Sequence, residues 1–353
     1  MLDTLCPTGS FTRRAGLFFA GIAPLATKFS SALGQNATPA AAPTSSLGWN
    51  DDLDLSNGKL NVVTSVAPIS SLTRNVGGTR INLHGLIPDG VDSHTFEPAP
   101  SDAKFLSNAD VVLLNDLHLE DLTLKMADAT MKSGAEVDTL GDKTITEADW
   151  IFDFTFPKDK GDPNPHLWMS VQYAMDYAKL IEGYLSKRDP QNATYYQTNI
   201  AAYLAVLTRL DAGIATAVQT IPEGQRKLLT YHDSWAYFAR QYGMTVIGAV
   251  QPSDFAEPSP QEVAKLIDQI KAENLPAVFG SEVFPSSVLE QIASEAHAKY
   301  IDKLRDDEPP GNPGEPGHTY IGMMLTDMQL MIPALGGNVD ALKDVLPYDT
   351  YQP

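Results

Sequence analysis

The feature that most constrains this fold is an alternation of short β-rich runs with helical patterns. Such alternation is typical of a parallel sheet with helices on both of its faces. The runs that predict strands are 60–66, 81–87, 109–115, 135–140, 226–232, 244–250, 276–280 and 298–302. The chain is therefore expected to form an α/β fold.

A long helical pattern over residues 194–221 interrupts this alternation. Its apolar residues recur at helical spacing up to Pro222, and a helix of this length would extend about 40 Å. That exceeds what a compact βα unit needs and is long enough to run between two domains. We therefore expect an N-terminal lobe (59–193) and a C-terminal lobe (222–353), each α/β with about four strands.

The N-terminus resembles an export signal. Arg13 and Arg14 precede the apolar run AGLFFAGIAPLAT, which is too short to span a bilayer and is followed by the small residues SSALGQ. We expect a signal peptide over 1–34, with cleavage near Gly34, and FTRRAGLF resembles a twin-arginine signal. Residues 35–58 have the Ala/Pro/Ser/Thr/Asp-rich composition of a flexible linker.

Composition restricts the partners and the ligands. The chain has 353 residues, 43% of them hydrophobic, and a formal net charge of −19, which repels nucleic acid and anionic membranes and attracts cations. Its one cysteine, Cys6, lies in the expected signal, so a Cys-rich zinc site is excluded. Any transition-metal site must therefore use His, Asp and Glu.

Three of the seven histidines stand out by their position. The other four fit ordinary strand, loop or helix-end roles and are His84, His118, His297 and His318. His94 follows the second predicted strand, His166 opens a predicted helix, and His232 ends the first strand of the second lobe. Asp302 ends the last predicted strand.

Ligands in open α/β sheets bind beyond the carboxyl ends of the strands, where these four residues are expected. Three imidazoles and one carboxylate make a tetrahedral set suited to Zn²⁺. From the residues alone, such a site and a set of unconnected loop histidines both remain open.

Several motifs, in order along both lobes, resemble the metal-binding lipoproteins of ABC importers, the zinc/manganese solute-binding family (cluster A-I type). The resemblance runs from about Lys59 to Gly336. It is carried by LIPDGVDSHTFEPAPSDAKFLSNADVVLLNDLHLED, NPHLWMSVQYAMDYAKLI, LLTYHDSWAYFARQYG and EPSPQEVAKLIDQIKAENLPAVFGSEVFPSSVLEQIASEA, and by KYIDKL with GHTYIGMM. It implies two Rossmann-like lobes, each with a mostly parallel four-stranded sheet, joined by one long rigid helix.

The resemblance places the metal ligands at His94, His166, His232 and Asp302, with Glu97 and Glu282 as fallback carboxylates. Members that resemble manganese importers carry a Glu at the third position and those that resemble zinc importers carry a His. His232 therefore predicts the zinc-specific subgroup.

The implied function is capture rather than catalysis. An exported, monomeric protein would bind Zn²⁺ between its lobes and deliver it to an ABC permease in the membrane, with a metallochaperone as a further partner. The lipoprotein cysteine is absent, which predicts a freely diffusing protein. Ser93 stands where a proline usually precedes the first ligand, a change expected to loosen that loop.

Three alternatives remain at this stage. The first is a manganese- or iron-binding protein of the same class. The second is a zinc hydrolase, although no H-E-x-x-H motif occurs in the chain. The third is a metal-dependent adhesin that uses the same fold.

Overall fold

The computed structural model describes residues 46–253, 255, 257–283 and 286–353. The expected signal peptide and the first part of the expected linker lie outside these residues. Eight strands occur among them, and each falls on a predicted run. They are β1 (Leu60–Thr64), β2 (Ile81–Gly85), β3 (Val111–Leu114), β4 (Glu136–Thr139), β5 (Lys227–Thr230), β6 (Thr245–Ala249), β7 (Ala277–Ser281) and β8 (Lys299–Leu304).

The strands form two sheets of four, one in each lobe, with the orders β2-β1-β3-β4 and β6-β5-β7-β8. Every pair of neighbouring strands is parallel. The central strands β1, β3 and β7 are buried along nearly their whole length, as expected for a parallel sheet covered on both faces. The α/β class with two Rossmann-like lobes is confirmed.

In the part of the chain that the structure describes, ten α-helices connect and cover the sheets. They are α1 (Ala67–Gly77), α2 (Asp102–Asn108), α3 (Asp121–Thr130), α4 (Leu140–Thr144), α5 (Val171–Arg188), α6 (Ala193–Gln219), α7 (Ala236–Tyr242), α8 (Pro260–Glu273), α9 (Ser287–Ala296) and α10 (Tyr320–Ala334). The capping box that the sequence indicates at α8 is present, because the Ser259 hydroxyl accepts from Glu262 N–H and the Glu262 carboxylate accepts from Ser259 N–H.

The long helix α6 joins the two lobes and spans about 40 Å. Among the described residues it is also the one helix long and apolar enough to cross a membrane by length and composition. Its buried residues lie in the main hydrophobic core with those of α1, α5 and α10; they include Tyr203, Leu207, Leu210 and Ile214. One face of α6 is therefore part of the main hydrophobic core.

The folded part begins earlier than the composition of residues 35–58 suggests. Trp49 is only 4% exposed, and the next residue, Asn50, forms an antiparallel bridge to His84 in β2. The Asp51 carboxylate pairs with the buried Arg74 guanidinium at 2.6 Å. Residues 46–58 therefore do not form a flexible linker, because the buried Trp49 and the ion pair of the half-buried Asp51 with the buried Arg74 fix them against the N-terminal lobe.

The C-terminal tail returns to the N-terminal lobe. The Asp349 carboxylate accepts hydrogen bonds from Ser46 Oγ at 2.5 Å and from Asn75 Nδ2 at 2.9 Å. Gln352 N–H donates to Asn199 on α6. The expected C-terminal lobe 222–353 thus ends before its last residues, which bind across α1 and α6.

Replacing Trp49 tests whether this segment belongs to the folded unit. Trp49→Ala should lower the free energy of unfolding by about 3 kcal/mol, because a buried indole is removed. Leu55→Ala is the matched control, since Leu55 is 65% exposed, and should change it by less than about 0.5 kcal/mol. Urea denaturation measures both, and equal effects would show that the segment does not pack in solution.

Candidate metal centre

Three histidines from different parts of the chain meet at the carboxyl ends of the two sheets. His94 lies in the loop after β2, His166 precedes α5, and His232 follows β5. The Nε2 atom of His166 is 3.1 Å from that of His94 and 2.9 Å from that of His232. Within the described chain this is the one group of three or more potential ligands close enough to share an ion. The sequence prediction that these histidines converge is confirmed.

Asn164 determines which nitrogen of His166 carries the proton. The Asn164 amide nitrogen donates to the Asp153 carboxylate at 3.1 Å and to the carbonyl oxygen of Asp233 at 2.6 Å. The amide oxygen must then face His166, where it lies 2.8 Å from Nδ1. Because that oxygen only accepts, Nδ1 is protonated and Nε2 carries the lone pair.

His232 has the same arrangement. Its Nδ1 atom lies 2.6 Å from the amide oxygen of Gln251, which leaves the lone pair on Nε2. The lone pairs of His166 and His232 therefore point toward each other, and such an arrangement is favourable when a cation lies between them. Proteins commonly orient a metal-binding histidine through a hydrogen bond to the ring nitrogen that does not bind the metal.

Burial keeps two of the imidazoles neutral. The pKa of His94 and that of His166 lie well below the usual value, first because burial disfavours the charged ring and then because His232 is close. A neutral imidazole is the form that binds a metal ion. The rings are thus held ready to bind at neutral pH.

Aromatic rings contact His94 and His166. His94 stacks on Phe255 with ring centroids 4.9 Å apart, and Phe156 lies 5.4 Å from the His94 ring. Trp168 meets His166 edge-on at 5.2 Å. These aromatic rings limit the water around the two imidazoles, which strengthens electrostatic interactions there.

An acidic loop follows β8 and borders the histidines. The Asp306 carboxylate lies 3.7 Å from His232 Nε2. The loop is held by Glu282, whose carboxylate accepts the backbone N–H groups of Asp306, Asp307 and Glu308 at 3.0–3.2 Å. Burial and then the neighbouring acids raise the pKa of Glu282 and of Asp306 well above their usual range. A cation beside these acids would stabilise their ionised forms.

The expected fourth ligand, Asp302, does not reach this cluster. It is exposed on β8, and its carboxylate accepts a hydrogen bond from the Tyr300 hydroxyl. The sequence prediction ended this strand at Asp302. The strand instead continues to Leu304, with a left-handed Lys303 (φ 65°) and a register shift in its pairing. β8 therefore ends at Leu304, two residues before Asp306.

The fallback carboxylates do not complete the cluster either. Glu97 is exposed, and Glu282 binds the backbone of the acidic loop. Ser93, in the place of the usual proline, is buried, and its hydroxyl donates to the Asp307 carboxylate at 2.8 Å. The loop that carries His94 is therefore tied to the opposite lobe rather than loosened.

The four other histidines have separate environments. His84 stacks on Phe105 and His318 stacks on Trp49. His297 forms the left-handed end of α9, and His118 pairs with Asp121 at 3.7 Å. Within the described residues, none of these four joins the cluster of His94, His166 and His232.

Four residues of this site were not predicted from the sequence: Asp306, Asp307, Asn164 and Gln251. Three of them carried a usable signal. Asn164 stands two residues before His166 in NPH, and the pair Asp306-Asp307 follows a predicted strand. Gln251 gave no such signal, because its contact with His232 depends on how two strands of one sheet end.

A family model described as "Zinc-uptake complex component A periplasmic" matches residues 62–332 of the chain. The chain belongs to this family. Its members are substrate-binding proteins of ABC transporters and not enzymes, so the protein is the metal-binding component of such a transporter. The hydrolase alternative is thereby removed, and an extracytoplasmic location follows from the family.

Relatives differ in the metal that their names give. The chain is 28% identical to the metal ABC transporter substrate-binding lipoprotein FimA of Streptococcus parasanguinis, over 76% of this chain and 86% of the relative. It is 26% identical to the manganese ABC transporter substrate-binding lipoprotein PsaA of Streptococcus pneumoniae, over 78% and 88%.

Solved structures share the architecture. The periplasmic zinc binding protein TroA of Treponema pallidum matches with a TM-score of 0.71 and 27% identity, over 79% of this chain and 99% of that one. The Mn-bound periplasmic metal binding protein of Candidatus Liberibacter asiaticus matches with a TM-score of 0.68 and 25% identity, over 78% and 100%.

The pKa values of the histidines predict how the metal-free protein responds to acid. The ring signals of His94 and His166 in NMR spectra should stay constant from about pH 7.5 to about pH 6, whereas histidines of the urea-unfolded chain titrate near 6.5. Below that value the unfolded chain takes up protons that the folded chain does not, so the contribution of these rings to stability falls as the pH falls. A shift of either signal within this window would contradict the burial argument.

Proposed function

We propose that the protein captures Zn²⁺ between its lobes and delivers it to an ABC permease. The observation that carries the proposal is the convergence of three Nε2 atoms at separations of 2.9 and 3.1 Å for the two closest pairs. Four ligands at about 2.0–2.1 Å in a tetrahedron around zinc lie about 3.3 Å from one another. A movement of a few tenths of an ångström would therefore admit the ion.

The proposed ligands are His94, His166, His232 and Asp306. Asp306 replaces the expected Asp302 because its carboxylate is buried beside His232, whereas that of Asp302 is exposed. A buried carboxylate with a raised pKa gains most from a neighbouring cation. Four protein ligands would leave no position for a reactive water, as suits capture rather than catalysis.

Manganese or iron is the second candidate. Several relatives are named as manganese- or iron-binding, and the second buried acid, Asp307, offers further oxygen atoms next to the cluster. Manganese prefers oxygen ligands, whereas three imidazoles suit zinc. The donor set therefore favours zinc.

Delivery requires the ion to leave a buried site. Because α6 is continuous and buried along one face, we propose that the lobes move little and that loops around His94 and Asp306 open on the permease. We also propose that the protein is monomeric, that it is exported through a twin-arginine signal, and that a metallochaperone is a further partner.

Substitution of two aspartates four positions apart tests the ligand set. Asp306→Asn should weaken Zn²⁺ binding at least about 100-fold, the upper end of the loss caused by removing only a partner of a ligand. His232→Ala should weaken it at least as much. Asp302→Asn is the matched control and should leave the affinity unchanged.

Competitive titration with a chromophoric zinc chelator measures all three variants. Unchanged zinc affinity in Asp306→Asn together with a loss of affinity in Asp302→Asn would show that Asp302 is the fourth ligand, as the sequence predicts. Unchanged affinity in His232→Ala would refute the site as a whole.

A further inference from the structure

Gln251 is fixed at the junction of the two lobes. It follows β6 and is 2% exposed. Its backbone N–H donates to the carbonyl oxygen of Tyr231 at 3.0 Å, and its own carbonyl oxygen accepts from the Thr155 hydroxyl at 2.7 Å. Thr155 belongs to the N-terminal lobe, so both lobes hold the backbone from which this side chain extends.

The side chain of Gln251 extends from this backbone to His232. Its amide oxygen lies 2.6 Å from Nδ1 of His232, which is itself 2% exposed. An amide oxygen only accepts, so this contact requires a proton on Nδ1 and places the lone pair on Nε2. That nitrogen is the one 2.9 Å from Nε2 of His166.

We infer that Gln251 is a positioning residue of the metal site, which holds His232 in the Nδ1–H tautomer with Nε2 turned toward the ion. The inference rests on the function proposed above. It adds a residue that does not touch the metal and that determines whether one of its ligands can bind.

The uncharged amide also moderates how strongly His232 binds. A carboxylate in this place would raise the basicity of the imidazole. His166 is oriented by an amide as well, that of Asn164, although Asp306 and Asp307 already place buried acid groups close by. We therefore expect a carboxylate in place of the Gln251 amide to tighten zinc binding and to slow release of the ion.

The tautomer can be measured without any metal. In the metal-free protein, ¹⁵N NMR of the imidazole should give His232 the pattern of a protonated Nδ1. In Gln251→Leu, which removes the acceptor but keeps similar bulk, this pattern should change to that of a mixed or Nε2-protonated ring. A protonated Nε2 in the unsubstituted protein, or an unchanged pattern in Gln251→Leu, would overturn the inference.

Zinc titration then tests the consequence for binding. Gln251→Leu should weaken Zn²⁺ binding about 10–100-fold, the range for loss of a partner of a ligand. Gln251→Glu keeps an acceptor oxygen and should restore or exceed the original affinity, with slower release. Gln269→Leu is the matched control, because Gln269 donates to the Ile247 carbonyl away from the histidines, and it should bind as the unsubstituted protein does.

Failure of Gln251→Glu to restore binding would overturn the role of the acceptor, since a merely structural defect is not repaired by the correct oxygen. These outcomes are separable from failure of the proposed function. If the unsubstituted protein bound no metal, the proposed function would fail, while the tautomer measurement would still decide the role of Gln251.

Discussion

Lone pairs on buried imidazole nitrogens, directed at one another across two lobes, are the interaction on which the rest of this structure depends. In His166 and in His232, an amide oxygen accepts a hydrogen bond from Nδ1 and so keeps the proton on that nitrogen. The two Nε2 atoms, which carry the lone pairs, lie 2.9 Å apart. The carboxyl groups of Asp306 and Asp307, on the loop after β8, lie near these nitrogens, and burial raises their pKa values. Both features are unfavourable without a cation and become favourable with one.

The fold supplies what this arrangement needs. Two parallel sheets direct the carboxyl ends of their strands toward a common region, and α6 fixes the distance between them. Polar contacts then cross the junction: Asn164 binds the carbonyl of Asp233, and Ser93 binds Asp307. The ligands are therefore linked to one another through the protein before any ion arrives.

Most of the fold and three of the ligands could be predicted, because they depend on local signals. Hydrophobic runs indicated all eight strands, and helical spacing indicated α6. The histidines His94, His166 and His232 followed from their places after strands and before a helix. The fourth acid could not be placed in this way, because β8 continues through a left-handed Lys303 that breaks its pattern. Nor could Gln251, because its role follows from tertiary contacts alone.

The most direct measurement is a crystal structure of the metal-loaded protein with anomalous diffraction on both sides of the zinc edge and at the manganese edge. We expect one zinc peak about 2.0–2.1 Å from Nε2 of His94, His166 and His232 and about 2.0–2.2 Å from the Asp306 carboxylate. A peak bound by Asp302, a peak away from the three histidines, or a manganese signal in its place would contradict this expectation.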